Sequence, residues 1–241
     1  MIIPAHNEEK RLPATLKKIQ AFLETQPYRA EVLVVENGSH DRTWEVAQSF
    51  TKEMPCLRAV HETQRGKGLA VRRGMLEARG EYRFFADADL SMPIEEVNRF
   101  IPPALPTVEV AIASREAPGA VRYDEPAYRH LIGRIFNSMV RWTALPGLQD
   151  TQCGFKCFRG DVAERVFPLQ TFPGMSFDVE VLFIARRMGY QIIEIPIPWY
   201  FDPDSRVRLI DDSLRMAIDL LTIQRNARRG LYDAPPKSTA A

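Results

Sequence analysis

The apolar positions of this chain come in short continuous runs separated by stretches with helical spacing. Glu31-Val-Leu-Val-Val35 reads as a buried strand, and Leu57–Val60, Tyr82–Ala86 and Val108–Ala113 repeat the pattern. Asn37-Gly-Ser39 marks a turn, after which Asp41 is placed to cap a helix through Trp44, Val46, Ala47 and Phe50. Further helical stretches run from Arg65-Gly-Lys-Gly68 to about Arg79 and from Pro93 to about Ile101. Strand and helix in alternation predict an α/β fold, a mostly parallel sheet with helices on both faces. The first strand stands out. Ile2-Ile-Pro4 supplies only two or three residues before Ala5-His-Asn-Glu-Glu9 opens a loop and helix, so either the strand is short or the true start lies upstream of Met1.

The second half is less regular. Residues 115–128 are polar, basic and interrupted by Gly and Pro, the pattern of a mobile loop. Arg129 to about Leu145 is a strongly amphipathic helix, with Leu131, Ile135, Met139 and Trp142 in one stripe and Ile132, Phe136 and Val140 beside it. Asp178–Met188 is a predicted helix, Tyr190–Ile195 a strand, and a last helix runs from about Asp211 to Arg228 with Leu214, Ile218 and Leu221 on it. Residues 229–241, ending in Ala234-Pro-Pro-Lys-Ser-Thr-Ala-Ala241, are expected to be a disordered tail.

Composition narrows the class. With 241 residues, 45% apolar and 26% charged, the chain is the size of one enzyme domain, placed at 1–228. A net charge of +1 argues against nucleic-acid binding. No apolar run approaches the roughly 20 residues that cross a bilayer, and Met1-Ile-Ile-Pro4 does not begin a signal peptide. Three cysteines point to a reducing compartment; Cys153 and Cys157 lack the second Cys/His pair that zinc would need.

The sharpest chemical feature is Asp87-Ala-Asp89 at the end of the run Tyr82–Ala86. Residues i and i+2 of a strand point the same way, so both carboxylates leave the strand tip together, where open α/β sheets bind ligands. Without His or Cys nearby, such a pair suits Mg²⁺ or Mn²⁺ held against a substrate diphosphate. A polar strand end followed by the helix cap Ser91-Met-Pro93 is the plainer alternative. Arg65-Gly-Lys-Gly68 lacks the Ser/Thr and upstream glycine of a Walker A loop, yet puts glycine backbone and a cation at a helix N-terminus, which favours an anion. Glu8, Glu36 and Asn37 follow successive strands, where they can meet a base and ribose, or simply form a helix start and a turn. Arg115, Arg129, Arg134, Arg206 and Arg208 supply forks that match phosphate oxygens, unless they are surface charges.

Ile3-Pro-Ala-His-Asn-Glu-Glu9, Val34-Val-Glu-Asn-Gly-Ser-His-Asp41, Arg65-Gly-Lys-Gly68, Ala86-Asp-Ala-Asp-Leu90 and Ala113-Ser-Arg115 resemble, in that order, the motifs of family 2 glycosyltransferases of GT-A fold. Asp150-Thr-Gln-Cys-Gly-Phe-Lys156, Phe177-Asp-Val-Glu180 and Glu194-Ile-Pro-Ile-Pro-Trp199 are similar to the branch that makes dolichyl- or polyprenyl-phosphate sugars, the β-glucosyltransferases first and the mannose synthases second. The resemblance covers about residues 2–225. It implies a GT-A, Rossmann-like sheet whose 1–114 half binds the nucleotide sugar and whose 115–228 half, with C-terminal helices, binds the acceptor. It implies donor contacts from Pro4, His6, Glu8, Glu36, Asn37, Lys67 and Asp87, a metal on Asp87 and Asp89, and acceptor phosphate on Arg115, Arg129 and Arg206. Relatives usually carry Asp-Asp-Gly-Ser where this chain has Glu36-Asn-Gly-Ser39, which keeps hydrogen bonding, removes one charge and leaves the base open.

The expected reaction is metal-dependent, inverting hexose transfer from UDP-glucose first, or GDP-mannose second, to dolichyl or polyprenyl phosphate. A phosphate is already anionic and needs no base, so Asp178 and Glu180 are expected either to serve as base toward a saccharide or protein hydroxyl, or to orient the sugar or hold Lys156. A lipid acceptor implies peripheral contact at the cytoplasmic membrane face, through helix 129–145 and the final helix with Arg225, Arg228 and Arg229, although core packing explains either stripe equally well. It also leaves room for a separate membrane partner such as a flippase. Two further readings are a sugar nucleotidyltransferase, whose glycine-rich N-terminal signature is absent after Ile3, and a non-catalytic nucleotide-sugar-binding module.

Overall fold

The computed structural model describes residues 1–203 and 209–233, with side chains of 209–214 left out. Its frame is a seven-stranded sheet in the order β3-β2-β1-β4-β7-β5-β8. The strands are β1 (Ile2–Ala5), β2 (Val32–Asn37), β3 (Leu57–Glu62), β4 (Tyr82–Ala86), β5 (Val110–Ser114), β7 (Phe155–Arg159) and β8 (Ile192–Pro196). The helices are α1 (Leu12–Glu24), α2 (Thr43–Glu53), α3 (Lys67–Glu77), α4 (Ala127–Thr143), α5 (Gly160–Val166), α6 (Phe177–Arg187) and α7 (Leu209–Arg228).

The strands alternate their side chains between two cores. Ile2, Leu33, Val35 and Phe85 face one, and Ile3, Val32, Val34 and Phe84 face the other. This is why the runs look uniformly apolar: both faces are covered. β1 is short, as its sequence indicates, yet it is central, pairing parallel with β2 along its whole length. Gly74 of α3 lets the helix close onto it, since a Cβ there would lie 2.4 Å from Ile2 Cγ2.

Four local expectations are sharpened or corrected. The helix expected over 93–101 is present as a 3-10 helix, Ile94–Phe100; Ile101 is extended ahead of Pro102, as residues before proline tend to be. The loop 115–128 contains strand β6 (Val121–Tyr123), which pairs parallel with β9 (Pro198–Tyr200). Tyr123 stacks on Tyr200 at 4.6 Å. Its partner lies far along the chain and its two end residues are exposed, so no local pattern marks it. Third, β7 arises where no strand is expected. It runs antiparallel between β4 and β5, so strands from both halves of the chain share one sheet. Fourth, α2 starts at Thr43 and its cap position is Arg42, although Asp41 Oδ1 does accept from Thr43 N at 3.0 Å.

The stripe on α4 is turned outward. Phe136 and Val140 enter the core, whereas Leu131, Ile135 and Trp142 are 60%, 58% and 89% exposed. On α7, Met216, Leu220 and Ile223 are buried and Ile218 and Leu221 are both 65% exposed. The expectation for Leu214 and for the tail from 234 falls outside the described residues; 229–233 form turns, with Tyr232 buried. No helix among the described residues is long and apolar enough to cross a membrane.

Candidate active site

The carboxyl ends of β1, β2, β3 and β4 lie side by side and carry most of the expected donor residues. The β1–α1 and β2–α2 loops are laced together. Asn7 N donates to Ser39 Oγ (3.0 Å), His40 N to Asn7 Oδ1 (2.8 Å), Glu8 N to Thr43 Oγ1 (2.7 Å) and Arg42 N to Glu9 Oε2 (3.0 Å). These side chains replace water for loop backbone that would otherwise be orphaned. Pro4 sits in β1 opposite Val35. His6 Nδ1 is 3.0 Å from Asn37 O, and Glu8 pairs with Arg11 at 3.0 Å, which also reaches Asp202 at 2.7 Å.

Glu36 and Asn37 separate in role. Glu36 is buried, one oxygen accepting from Ser39 N and the other lying 2.6 Å from His61 Nδ1. His61, which sequence reasoning did not single out, packs edge-on against Trp44 at 5.3 Å. Its register partner in the parallel pair is Glu36, a relation visible only once β2 and β3 are aligned. Asn37 points to the opposite face of the strand. Its side chain has no hydrogen bond among the described residues, and of the two it is the one left to read a ligand.

At the tip of β4, Asp87 Oδ1 is 2.5 Å from Lys67 Nζ. Asp87 Oδ2 rests where a Cβ on residue 154 would come within 1.9 Å, so Gly154 is required for this carboxylate position. Asp89 Oδ1 accepts from Ser91 N at 3.0 Å. Burial, reinforced by the charge of Asp87, pushes the Asp89 carboxyl above its ordinary range. For Lys67, burial works against the charge, but Asp87 and Asp178 outweigh it and hold the ammonium above its usual value. The donor set here is all oxygen and partly exposed, which fits a hard divalent ion. Asp89 also borders a cavity of about 910 Å³ walled by Phe22, Leu90, Ile94, Tyr200 and Phe201.

The glycines of Arg65-Gly-Lys-Gly68 act differently from an anion loop. A Cβ on Gly66 would lie 2.4 Å from Pro173 O and one on Gly68 2.5 Å from Phe172 O. Gly68 N already donates to Pro173 O at 2.8 Å. The small residues therefore let segment 170–174 close over the start of α3, and Lys67 is the part of the motif that faces the carboxylates.

Asp178 and Glu180 open α6 and are both buried. Asp178 Oδ1 accepts from Lys156 Nζ at 2.5 Å, so the expectation that it holds Lys156 is met. Burial raises the Asp178 carboxyl, with Lys156 and Lys67 opposing. Its Oδ2 is buried and unpartnered among the described residues, as are Thr151 Oγ1 and Gln152 Nε2. Glu180 takes bonds from Thr171 N, Thr171 Oγ1, Phe172 N and Tyr232 OH. A carboxylate so satisfied anchors the loop and is a poor base.

Among the residues expected to meet an acceptor, Arg115 forks onto Asp150 at 2.7 and 3.0 Å and lies over Trp199. Burial would raise the Asp150 carboxyl, but the guanidinium pulls it well below the carboxylate range. Glu194 in turn accepts from Gln149 N and Asp150 N. Arg129 lies over Phe201 at 5.1 Å, and the Trp199 and Phe201 rings are 6.2 Å apart, so Arg115 and Arg129 flank one aromatic pair. Arg134 is exposed, and Arg206 and Arg208 fall outside the described residues. Arg122, not anticipated, also lies over Trp199 while paired with Glu116 and Glu125.

Comparison with known proteins agrees with this geometry. A family model described as "Glycosyl transferase family 2" matches residues 1–167. The dolichyl-phosphate beta-glucosyltransferase of Saccharomyces cerevisiae is 34% identical over 96% of this chain and 75% of its own length. The enzyme of that name from Homo sapiens is 32% identical over 96% and 76%. Among solved structures, mannosyl-3-phosphoglycerate synthase from Rubrobacter xylanophilus superposes with a TM-score of 0.66 at 15% identity, covering all of this chain and 77% of that one. Glucosyl-3-phosphoglycerate synthase from Mycobacterium tuberculosis, solved with Mn²⁺ and UDP-glucose, gives 0.63 at 19% identity over 98% and 79%.

Proposed function

This chain belongs to glycosyl transferase family 2 and is a glycosyltransferase of GT-A fold; from that premise we propose that it transfers one hexose from a nucleotide sugar to dolichyl or another polyprenyl phosphate, inverting the anomeric carbon. UDP-glucose is the donor proposed first and GDP-mannose second. The observation that carries the choice of acceptor is how the two candidate bases are already engaged. Glu180 is saturated by four donors, and Asp178 is buried with one oxygen on Lys156. A hydroxyl acceptor needs a base within hydrogen-bond reach of its proton. A phosphate brings its own negative oxygen. The names of the relatives from yeast and human support the same acceptor.

In this reading Asp87 and Asp89 hold Mg²⁺ or Mn²⁺, which when bound offsets the charge that builds on the leaving diphosphate. Asn37 contacts the base, with His6 and Glu8 fixing the loops around it and Glu36 setting His61. Lys67 neutralises the diphosphate. Asp178 Oδ2, Thr151 Oγ1 and Gln152 Nε2, without hydrogen-bond partners among the described residues, take up sugar hydroxyls in this reading. Arg115 and Arg129 hold the acceptor phosphate with Arg206, Arg115 through donors left over from Asp150. The exposed stripes of α4 and α7, two helices that pack together, rest on the cytoplasmic face of a membrane and bring the site to its lipid substrate. The nucleotide and metal are held from the half 1–114, and the half 115–228 takes the acceptor and reaches the donor's sugar.

The test is a matrix of UDP-glucose, UDP-GlcNAc and GDP-mannose against short and long polyprenyl phosphates and a free sugar, with and without Mn²⁺. Metal-dependent formation of a β-linked lipid-phosphate glucose is expected. Transfer to the sugar hydroxyl alone would overturn the acceptor.

A further inference from the structure

Lys67 stands where a cation would meet Asp87. Its ammonium is 2.5 Å from Asp87 Oδ1. The other oxygen, Oδ2, lies hard against Gly154, where even a Cβ would come within 1.9 Å. Of the two carboxylate oxygens, Oδ1 is therefore already engaged by a cation. The second ammonium of the site, Lys156, is tied to Asp178 and Cys153 O and cannot take over.

The ligand count points the same way. No group of three or more His, Cys, Asp or Glu able to hold a metal ion exists among the described residues. Two carboxylates alone leave Mg²⁺ or Mn²⁺ dependent on water and substrate phosphate for its remaining ligands. Charge adds a third constraint. Asp87, Asp89 and Asp178 act on Lys67, so three carboxylates face two ammoniums. A divalent ion arriving alone reverses the sign of that cluster and is repelled by the Lys67 it displaces. One arriving with a diphosphate leaves the cluster negative, and the diphosphate gives the released ammonium a new partner.

We propose that Lys67 makes divalent-cation binding conditional on the nucleotide: it occupies Asp87 until a diphosphate draws it away, so that metal and donor enter as a coupled pair. This rests on the assignment of Asp87 and Asp89 to the metal. Lys67 then has two successive partners, the carboxylate and the diphosphate, and its length is what lets one side chain serve both.

Mn²⁺ binding followed by electron paramagnetic resonance on the full chain, with and without UDP, tests this without turnover. In the wild-type chain UDP should tighten Mn²⁺ binding roughly tenfold or more, and by thermodynamic reciprocity Mn²⁺ should tighten UDP by the same factor. Lys67→Met should tighten Mn²⁺ binding in the absence of UDP by about tenfold while both coupling factors shrink together. Lys67→Arg keeps the charge and should keep the coupling. Lys67→Gln is read as Lys67→Met is, and replaces it if the methionine variant does not fold. Unchanged or weaker Mn²⁺ binding by the uncharged variants without UDP, beside intact UDP-assisted binding in the wild type, overturns the inference and leaves the metal assignment standing. No Mn²⁺ binding by the wild type even with UDP overturns both.

Discussion

The β1–β2 end of the sheet and the α4–α7 face of this molecule solve opposite problems. Around β1 and β2, polar side chains spend themselves on neighbouring loops: Asn7, Glu9, Ser39, Asp41 and Thr43 all bond across the two turns. Apolar residues there are inside. On α4 and α7 large apolar residues stand in solvent, while Arg115, Arg122 and Arg129 nearby are paired with carboxylates or laid over aromatic rings. A rigid cradle suits a small, highly charged donor. A surface with exposed Leu, Ile and Trp is unfinished until something apolar covers it.

The largest expected effect lies at the strand tips. Asp89→Ala should lower turnover by on the order of 10²–10³, the scale of removing one transition-state stabiliser, with the fold intact by circular dichroism. Activity near wild type would remove the carboxylate pair from the mechanism. Next comes the buried Arg115–Asp150 pair. Asp150→Asn strips the buried partner from Arg115 and should cost about 3 kcal/mol in denaturant unfolding. Because the folded Asp150 carboxyl is depressed, its contribution is complete above the ordinary carboxylate value of 3.8 and is lost as pH falls through the lower folded value. The gap between wild type and variant should therefore be constant near neutrality and narrow below about pH 4; a gap that widens in acid contradicts the pairing.

The α4–α7 face is tested by replacing Ile135 and Trp142 with Ser together. Co-flotation with anionic vesicles should weaken by about tenfold or more, given roughly 1.5–3 kcal/mol for a fully buried large side chain, while thermal stability stays unchanged. A drop in stability instead would mean the stripe packs against protein. The smallest effect concerns how the two sides are joined. Tyr232→Phe removes one donor from Glu180 and should cost about 1 kcal/mol, with turnover per folded molecule unaltered.

The same contrast divides what the residues reveal by themselves from what only the fold supplies. β4 matches its run, Tyr82–Ala86, residue for residue, because both of its faces are buried. β7 escapes notice because Lys156, its second residue, and Arg159, its last, break the apolar run, and only the fold supplies Asp178 to justify a buried ammonium. Amphipathic spacing identifies α4 as a helix with an apolar stripe, but spacing does not say whether that stripe faces core or solvent. The glycines of Arg65-Gly-Lys-Gly68 look like an anion loop in one dimension; the chain that presses on them, Phe172-Pro173, lies far along the sequence. Likewise Asp87 and Asp89 are legible as a pair, whereas the engagement of Asp87 by Lys67 depends on how α3 and β4 meet.

The place of β7 also imposes a chronology on synthesis. β4 and β5 are consecutive strands, yet they touch only through a strand made later. A chain emerging from the ribosome as far as β5 has an open edge on β4 and a β5 with no neighbour in the sheet. Unpaired edges of this kind recruit other chains. Residues 155–159 act as the keystone of the sheet: until they arrive, the first half waits with its flank exposed, and a protein truncated before them is expected to be found in aggregates rather than as a smaller folded unit.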